Sequence, residues 1–211
     1  MWKMQSSKEP IRLFKSDFLE FFTHIHPAVV LIIWIPVVVY FAVYGLMNRP
    51  DGISLLYFPI CIVVGLILWT LTEYGLHRFV FHFRPRNKWQ ERISFLFHGI
   101  HHAQPMVKSR LVMPPVVSIP LGLLFYYFYV TVVGRLFGQS HWVYPLFAAF
   151  SMGYIFYDMT HYSSHHFDLK SNYLKMVRKN HMRHHSKTPD KRFGVTNIFW
   201  DFCFGTRVKE E

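Results

Sequence analysis

Four stretches of this 211-residue chain carry no charge: residues 28–47, 53–72, 111–134 and 136–157. The first two are 20 residues each. At about 1.5 Å per helical residue that length crosses roughly 30 Å of hydrocarbon. Both are apolar all round, unlike the one-sided helices of a soluble core. With the tight turn NRPDG at residues 48–52 between them, they predict a transmembrane hairpin over residues 28–72. Pro114 and Pro115 stand near the start of the third run, where proline suits a first helical turn. Arg135 and Gly138 mark the break before the fourth, and His141 and Trp142 sit near it, where aromatic residues commonly mark an interface. Residues 111–157 therefore predict a second hairpin.

A net charge of +11 with 52% hydrophobic residues would suggest nucleic-acid binding in a soluble protein. Here the cations alternate with uncharged runs instead of forming a patch, which favours a membrane and argues against nucleic acid. Residues 1–27, 73–110 and 158–211 hold 4, 7 and 10 of the 23 Lys and Arg residues, against only Arg49 and Arg135 in the two turns. Loops rich in Lys and Arg stay in the cytosol, so these three segments are expected on the cytosolic face. The expected membrane is the endoplasmic reticulum in a eukaryote or the inner membrane in a bacterium. Residues 10–26, PIRLFKSDFLEFFTHIH, place Ile11, Phe14, Phe18, Phe21, Phe22 and Ile25 on one stripe and predict an amphipathic helix. It would lie in the membrane interface or on the body of the protein. Cys61 sits in an apolar run far from Cys203, so no structural disulfide is expected, and no signal peptide is expected. The expectation is an all-α integral membrane protein forming a single domain over residues 1–211. Four transmembrane helices in two hairpins (28–72 and 111–157) join an interfacial helix (1–27) and a cytosolic helical cap (73–110 and 158–211).

The cap segments are where the chemistry lies. They carry four histidine groups: HRFVFH (His77, His82), HGIHH (His98, His101, His102), HYSSHH (His161, His165, His166) and HMRHH (His181, His184, His185). On a helix, residues three and four apart share a face, so the last three groups would each present two or three imidazoles to one point. Imidazole is the commonest protein metal ligand. Clustered like groups would repel once protonated, and a metal would hold them together. Antiparallel hairpins bring the ends of the second and fourth spans to one membrane level, where the groups can converge. His77 and His82 are five apart, about 140° on a regular helix. They are therefore split between two metals or held on irregular backbone. His166 points about 100° away from His165, and His24, His26 and His141 read as ordinary polar residues.

So many imidazoles exceed the needs of one ion and imply two. Metal-bound histidines need acceptors on the other ring nitrogen. Asp158, one turn before His161, is the first candidate, followed by Glu73 and Asp201, the last of which is equally a cap or turn. Phe and Tyr residues at 125–129 and 154–157 offer apolar walls within the spans. Lys108 and Arg110 read as a solvated loop before they read as a head-group site. A metal transporter or sensor would place ionisable residues within the spans, near the midplane, and these spans are free of charge and almost free of histidine. A di-zinc hydrolase would need a carboxylate base within the histidine groups.

The ordered set HRFVFH, HGIHH, HYSSH and HMRHH resembles the membrane histidine-motif hydroxylases and desaturases that act on lipids. More narrowly, HGIHHAQPMVKSRLVMPP, YDMTHYSSHH and FGVTNIFWDFCFGT are similar to the fatty acid 2-hydroxylases of sphingolipid metabolism. The likeness covers about residues 73–206. It implies a four-span protein that uses a cytosolic pair of iron ions, dioxygen and two electrons to hydroxylate carbon 2 of a fatty acyl chain, free or in a ceramide. It implies ten ligands: His77, His82, His98, His101, His102, His161, His165, His181, His184 and His185. Many eukaryotic members carry a cytochrome b5 domain. Residues 1–27 resemble none, so the expected donor is a separate protein such as cytochrome b5 with its reductase, or a ferredoxin. Zinc, which such ligands bind more tightly than ferrous iron, is expected as a contaminant of the site. Hydroxylases or desaturases of sphingoid bases, sterols or carotenoids share the motif.

Overall fold

A computed structural model describes residues 9–208. Every regular element among them is helical, and the chain divides into two compact units. The first comprises Met1–Pro27, Leu71–Val112 and Tyr157–Glu211, and the second Ala28–Thr70 and Met113–Phe156.

The second unit is built from four helices: α2 (Pro27–Met47), α3 (Tyr57–Gly75), α6 (Pro115–Tyr129) and the leading part of α7 (Ser140–His166). A π-helical stretch, Val130–Leu136, continues α6. Among the described residues, three stretches are long and apolar enough to cross a membrane: Pro27–Met47, Tyr57–Phe81 and Lys108–Leu136, with mean hydropathies of 2.5, 1.7 and 2.0. The fourth expected span, residues 136–157, does not reach that standard. Its hydropathy is lowered by His141, Tyr144, Ser151, Tyr154 and Tyr157, residues that a largely buried helix can carry. Val143, Leu146, Phe147, Ala148, Ala149, Phe150, Ser151, Tyr154 and Ile155 are all buried. A helix walled in by protein needs small residues for close approach more than it needs apolar bulk toward lipid.

Two glycines set that approach. A Cβ on Gly65 of α3 would lie 2.6 Å from the Leu146 carbonyl oxygen and 2.7 Å from the Ala149 Cβ. One on Gly153 would lie 2.5 Å from the Trp69 ring. Polar groups within this unit find local partners, as apolar surroundings require: Trp34 Nε1 donates to Ser118 Oγ at 3.3 Å, and the Tyr57 hydroxyl donates to the Gly45 carbonyl. Along α2 and α6 runs an aromatic groove of about 480 Å³, walled by Tyr40, Tyr44, Tyr126, Tyr127 and Tyr144.

In the first unit the N-terminal segment departs from the expected helix over residues 10–26. Only α1 (Asp17–Phe21) forms, with Ser16 at its N-cap. The reason lies in where the backbone amides go. Ile11 N–H donates to Gln104 Oε1 at 3.0 Å, and Leu13 and Phe14 N–H donate to Glu20 Oε2 at 2.9 and 2.8 Å. These tertiary bonds replace the helical ladder and make residues 9–16 a strap. Arg110 ties the other side, donating to the Ile11 carbonyl at 2.5 Å and to Glu20 Oε1 at 2.6 Å. Arg110 is therefore neither a solvated loop cation nor free to hold a head group; it is buried in the strap's anchor.

The remaining elements of this unit carry the histidines. The chain of α3 runs on as a π-helical turn, Leu76–Phe81. α4 (Lys88–Ser94) passes through a second π turn, Phe95–Gly99, into α5 (Ile100–Ala103). The end of α7 contributes His161 and His165. α8 (Asn172–Ser186) buries Val177, Asn180, His181, His184 and His185 on one face, while Lys175 and Lys179 stay exposed on the other, the pattern of a one-sided helix. α9 (Phe199–Cys203) closes the unit and buries Asp201. Cys61 and Cys203 are both free thiols.

Candidate metal centre

Ten imidazoles gather in the first unit as two groups of five. His77, His82, His98, His102 and His184 form one, and His101, His161, His165, His181 and His185 the other. Within each group one nitrogen per ring lies within 4.8 Å of all the others. These ten are the residues that the family resemblance implied. His166 joins neither: its ring packs on Tyr162, 4.9 Å between centroids. His24 bonds to Ser109 Oγ at 2.8 Å, inside the strap network.

The groups do not follow the sequence motifs. His98, His101 and His102 do not meet at one point, nor do His181, His184 and His185. His98 pairs with His102 and His181 with His185, each four apart, while His101 and His184 turn to the neighbouring group. The i, i+4 step nearly closes a helical turn, whereas the residue between falls about 60° to one side. Each of these two helices thus straddles both centres.

His77 and His82 do share a group, through irregular winding. The His82 N–H donates to the His77 carbonyl at 3.1 Å, the five-residue step of a π-helix. That wide turn brings the two rings to one side, centroids 5.0 Å apart, which a regular helix would not.

The nitrogen spacing matches the edges of a coordination shell. Facing Nε2 atoms are 3.1 Å apart for His77 and His98, 3.0 Å for His98 and His102, and 3.0 Å for His82 and His184. In the second group the values are 2.8 Å for His101 and His161, 2.9 Å for His101 and His185, 2.9 Å for His165 and His181, and 3.1 Å for His181 and His185. With ligands about 2.1 Å from an ion, right-angle neighbours stand about 3.0 Å apart and tetrahedral ones about 3.4 Å. The observed edges fit the former.

The protonation states fit too. His77 Nδ1 lies 2.6 Å from the Phe193 carbonyl and His184 Nδ1 lies 2.7 Å from the Lys191 carbonyl. A carbonyl only accepts, so each Nδ1 carries the hydrogen and each Nε2 is left as a bare lone pair facing inward. Burial, then the neighbouring imidazoles, holds His98, His101, His181 and His185 well below the ordinary histidine range. The same causes push His82, His102 and His165 down to about 2. Neutral rings with converging lone pairs are what a cation requires.

Two of the carboxylates, Glu73 and Asp201, bond the loop that reaches the rings. Glu73 accepts from Val195 N–H, Thr196 N–H and the Thr196 hydroxyl at 2.8, 2.7 and 2.5 Å. Asp201 accepts from Phe193 N–H, Gly194 N–H and the Thr206 hydroxyl at 2.8, 3.0 and 2.7 Å. Both hold the loop whose carbonyls meet the rings. Asp158 is buried one turn before His161. The sequence points to carboxylates beside the imidazoles; the structure adds the Phe193 and Lys191 carbonyls as acceptors for His77 and His184. The only signal was Gly194, in a stretch that otherwise read as part of a likeness.

Comparison with known proteins agrees with this geometry. Residues 62–206 match the fatty acid hydroxylase family model. The dihydroceramide fatty acyl 2-hydroxylase of Arabidopsis thaliana is 37% identical over 95% of this chain and 81% of its own length. The ceramide very long chain fatty acid hydroxylase of Saccharomyces cerevisiae is 39% identical over 90% of this chain and 48% of its own, so the chain spans about half of that relative. A solved structure of full-length scs7p, in which only the hydroxylase domain is visible, superposes with a TM-score of 0.83 and 39% identity, covering 92% of this chain and 70% of that one.

Proposed function

The chain belongs to the fatty acid hydroxylase family, and from that premise we propose that it is a membrane monooxygenase that hydroxylates carbon 2 of a fatty acyl chain, free or carried in a ceramide. The two pentads of inward-facing imidazole nitrogens carry this reading. When bound there, two iron ions would supply the activation of dioxygen and the attack on an unactivated C–H bond.

The protein's own part is placement and exclusion. His77, His82, His98, His102 and His184 would hold one ion, and His101, His161, His165, His181 and His185 the other. Burial of nine of the ten, with His82 half-buried, keeps bulk water from the reacting centre. The carbonyls of Phe193 and Lys191 fix the tautomer of His77 and His184. The aromatic groove of the second unit supplies the kind of surface that a saturated tail packs against. Two electrons per turnover would come from a redox donor. The distribution of Lys and Arg supports four spans in two hairpins with every histidine group at the cytosolic face, including α7 as the fourth span despite its modest hydropathy.

Mass spectrometry of lipids from cells with and without the gene, grown under labelled dioxygen, tests the reaction. A labelled hydroxyl on carbon 2 of the acyl part is the expected product. Its absence, or a label on the sphingoid base, would reject the assignment. His101→Ala should abolish that product while the protein still inserts into the membrane, and retained product would remove His101 from the site.

A further inference from the structure

The two pentads are built to the same plan but supported differently. In the first, His77 and His184 are anchored through Nδ1 by the carbonyls of Phe193 and Lys191, two residues of one short loop. In the second, Nδ1 of His101, His165, His181 and His185 meets no protein hydrogen-bond partner. One loop therefore serves one centre only.

That loop is held with unusual force for its length. Five of its hydrogen bonds run to two buried carboxylates: Val195 N–H and both donors of Thr196 to Glu73, and Phe193 and Gly194 N–H to Asp201. Hydrogen bonds to a charged acceptor are roughly twice as strong as neutral ones. The backbone is bent to allow it. Arg192 adopts φ of +61°, a left-handed conformation that costs a branched or long residue energy and persists only where its surroundings fix it. Arg192 is fixed by Asn180 Oδ1 at 3.0 Å from Nη1 and by a bond from its N–H to the Thr206 carbonyl at 3.1 Å. At Gly194 a Cβ would fall 1.8 Å from the Asn197 carbonyl oxygen, so the loop closes only around glycine.

We propose that Glu73 is a positioning residue for the first centre alone. Acting through the 191–196 loop, it holds His77 and His184 in register and makes the affinity of that one ion depend on it, while the second centre is indifferent to it. Outer partners of metal-bound histidines contribute about 10- to 100-fold in metal affinity, and that is the loss expected here at one ion of two.

This rests on the reading of the pentads as two metal sites, and the experiment separates the two ideas. Full-length protein is loaded with zinc alone in detergent, and zinc per chain is measured at rising chelator concentration. Unmodified protein holding two ions upholds the metal reading; protein holding none rejects that reading, whatever the variants do. Glu73→Gln should release one ion at about 10- to 100-fold lower chelator and keep the other at the unmodified midpoint. In a His165→Ala background, which weakens the second centre, it should strip the remaining ion. In a His82→Ala background it should change nothing further. Parallel loss of both ions, or loss of neither, overturns the proposal. If Glu73→Gln does not fold, Thr196→Val removes one hydroxyl contact to the same carboxylate and should give a smaller one-ion shift; its failure to discriminate between the ions overturns the proposal equally.

Discussion

The ring of His102 lies flat on the ring of His185, centroids 4.1 Å apart and planes 25° from parallel, although each belongs to a different pentad. This stack joins the two centres side to side. His102→Ala should therefore disturb both: one ion loses a ligand, and the other loses the support that orients His185. His82→Ala, at the rim of the first pentad, should disturb one. Bound metal per chain, measured by plasma mass spectrometry, should fall by about one ion in His82→Ala and by more in His102→Ala. Equal losses in the two variants would mean that the stack transmits nothing.

Acid should unfold the metal-free protein in a defined window. The folded state holds His82, His102 and His165 at about 2, whereas an unfolded histidine titrates near 6.5. Their stabilising contribution is complete above about pH 6.5 and declines as pH falls, because the unfolded chain takes up protons that the folded chain refuses. Each such histidine steepens the loss by about 1.4 kcal/mol per pH unit. Thermal denaturation of the metal-free protein between pH 7.5 and 5 should show a steep fall, and a pH-independent midpoint would contradict the buried neutral rings. Bound metal, which competes with the same protons, should shift the fall to lower pH.

Purified protein should carry zinc when expressed without added iron, since imidazole sites bind zinc more tightly than ferrous iron. Such preparations should lack hydroxylase activity until the metal is exchanged. Full activity with two zinc ions and no iron would sink the oxygenase assignment.

The packing of α3 on α7 gives a stability test away from the metals. Gly65→Ala places a methyl group 2.6 Å from the Leu146 carbonyl, and relieving that overlap should cost about 1–3 kcal/mol. A lowered denaturation midpoint in detergent with unchanged metal content is the expected result. An unchanged midpoint would show that the helices separate freely.

The membrane helices were legible because hydrocarbon imposes a length and forbids charge. The same rule reads 136–157 as a fourth span, and its hydropathy falls short of the other three because a largely buried helix can carry polar and aromatic residues such as His141, Tyr144 and Tyr154. The clustering of eleven histidines pointed to a metal site, and the family resemblance named the ten that gather in the two groups, leaving out His166. Their division was not legible: it depends on which ring turns left or right of a helix face, as His101 and His184 do. The N-terminal helix failed for a different reason. A stripe of Ile and Phe residues specifies amphipathicity, but the amides of Ile11, Leu13 and Phe14 found acceptors in Gln104 and Glu20, which no local pattern announces. The loop carbonyls were invisible in principle, because every residue has one.

The wide turn at Leu76–Phe81 has a consequence for how such a site is written in sequence. A pair of imidazoles five apart on a π turn and a pair four apart on an α turn present the same geometry to an ion. One inserted residue, absorbed by widening a single turn, changes the spelling of the motif and leaves the chemistry where it was. A search that demands fixed spacing between histidines would count these two spellings as different sites, when they are two windings of one.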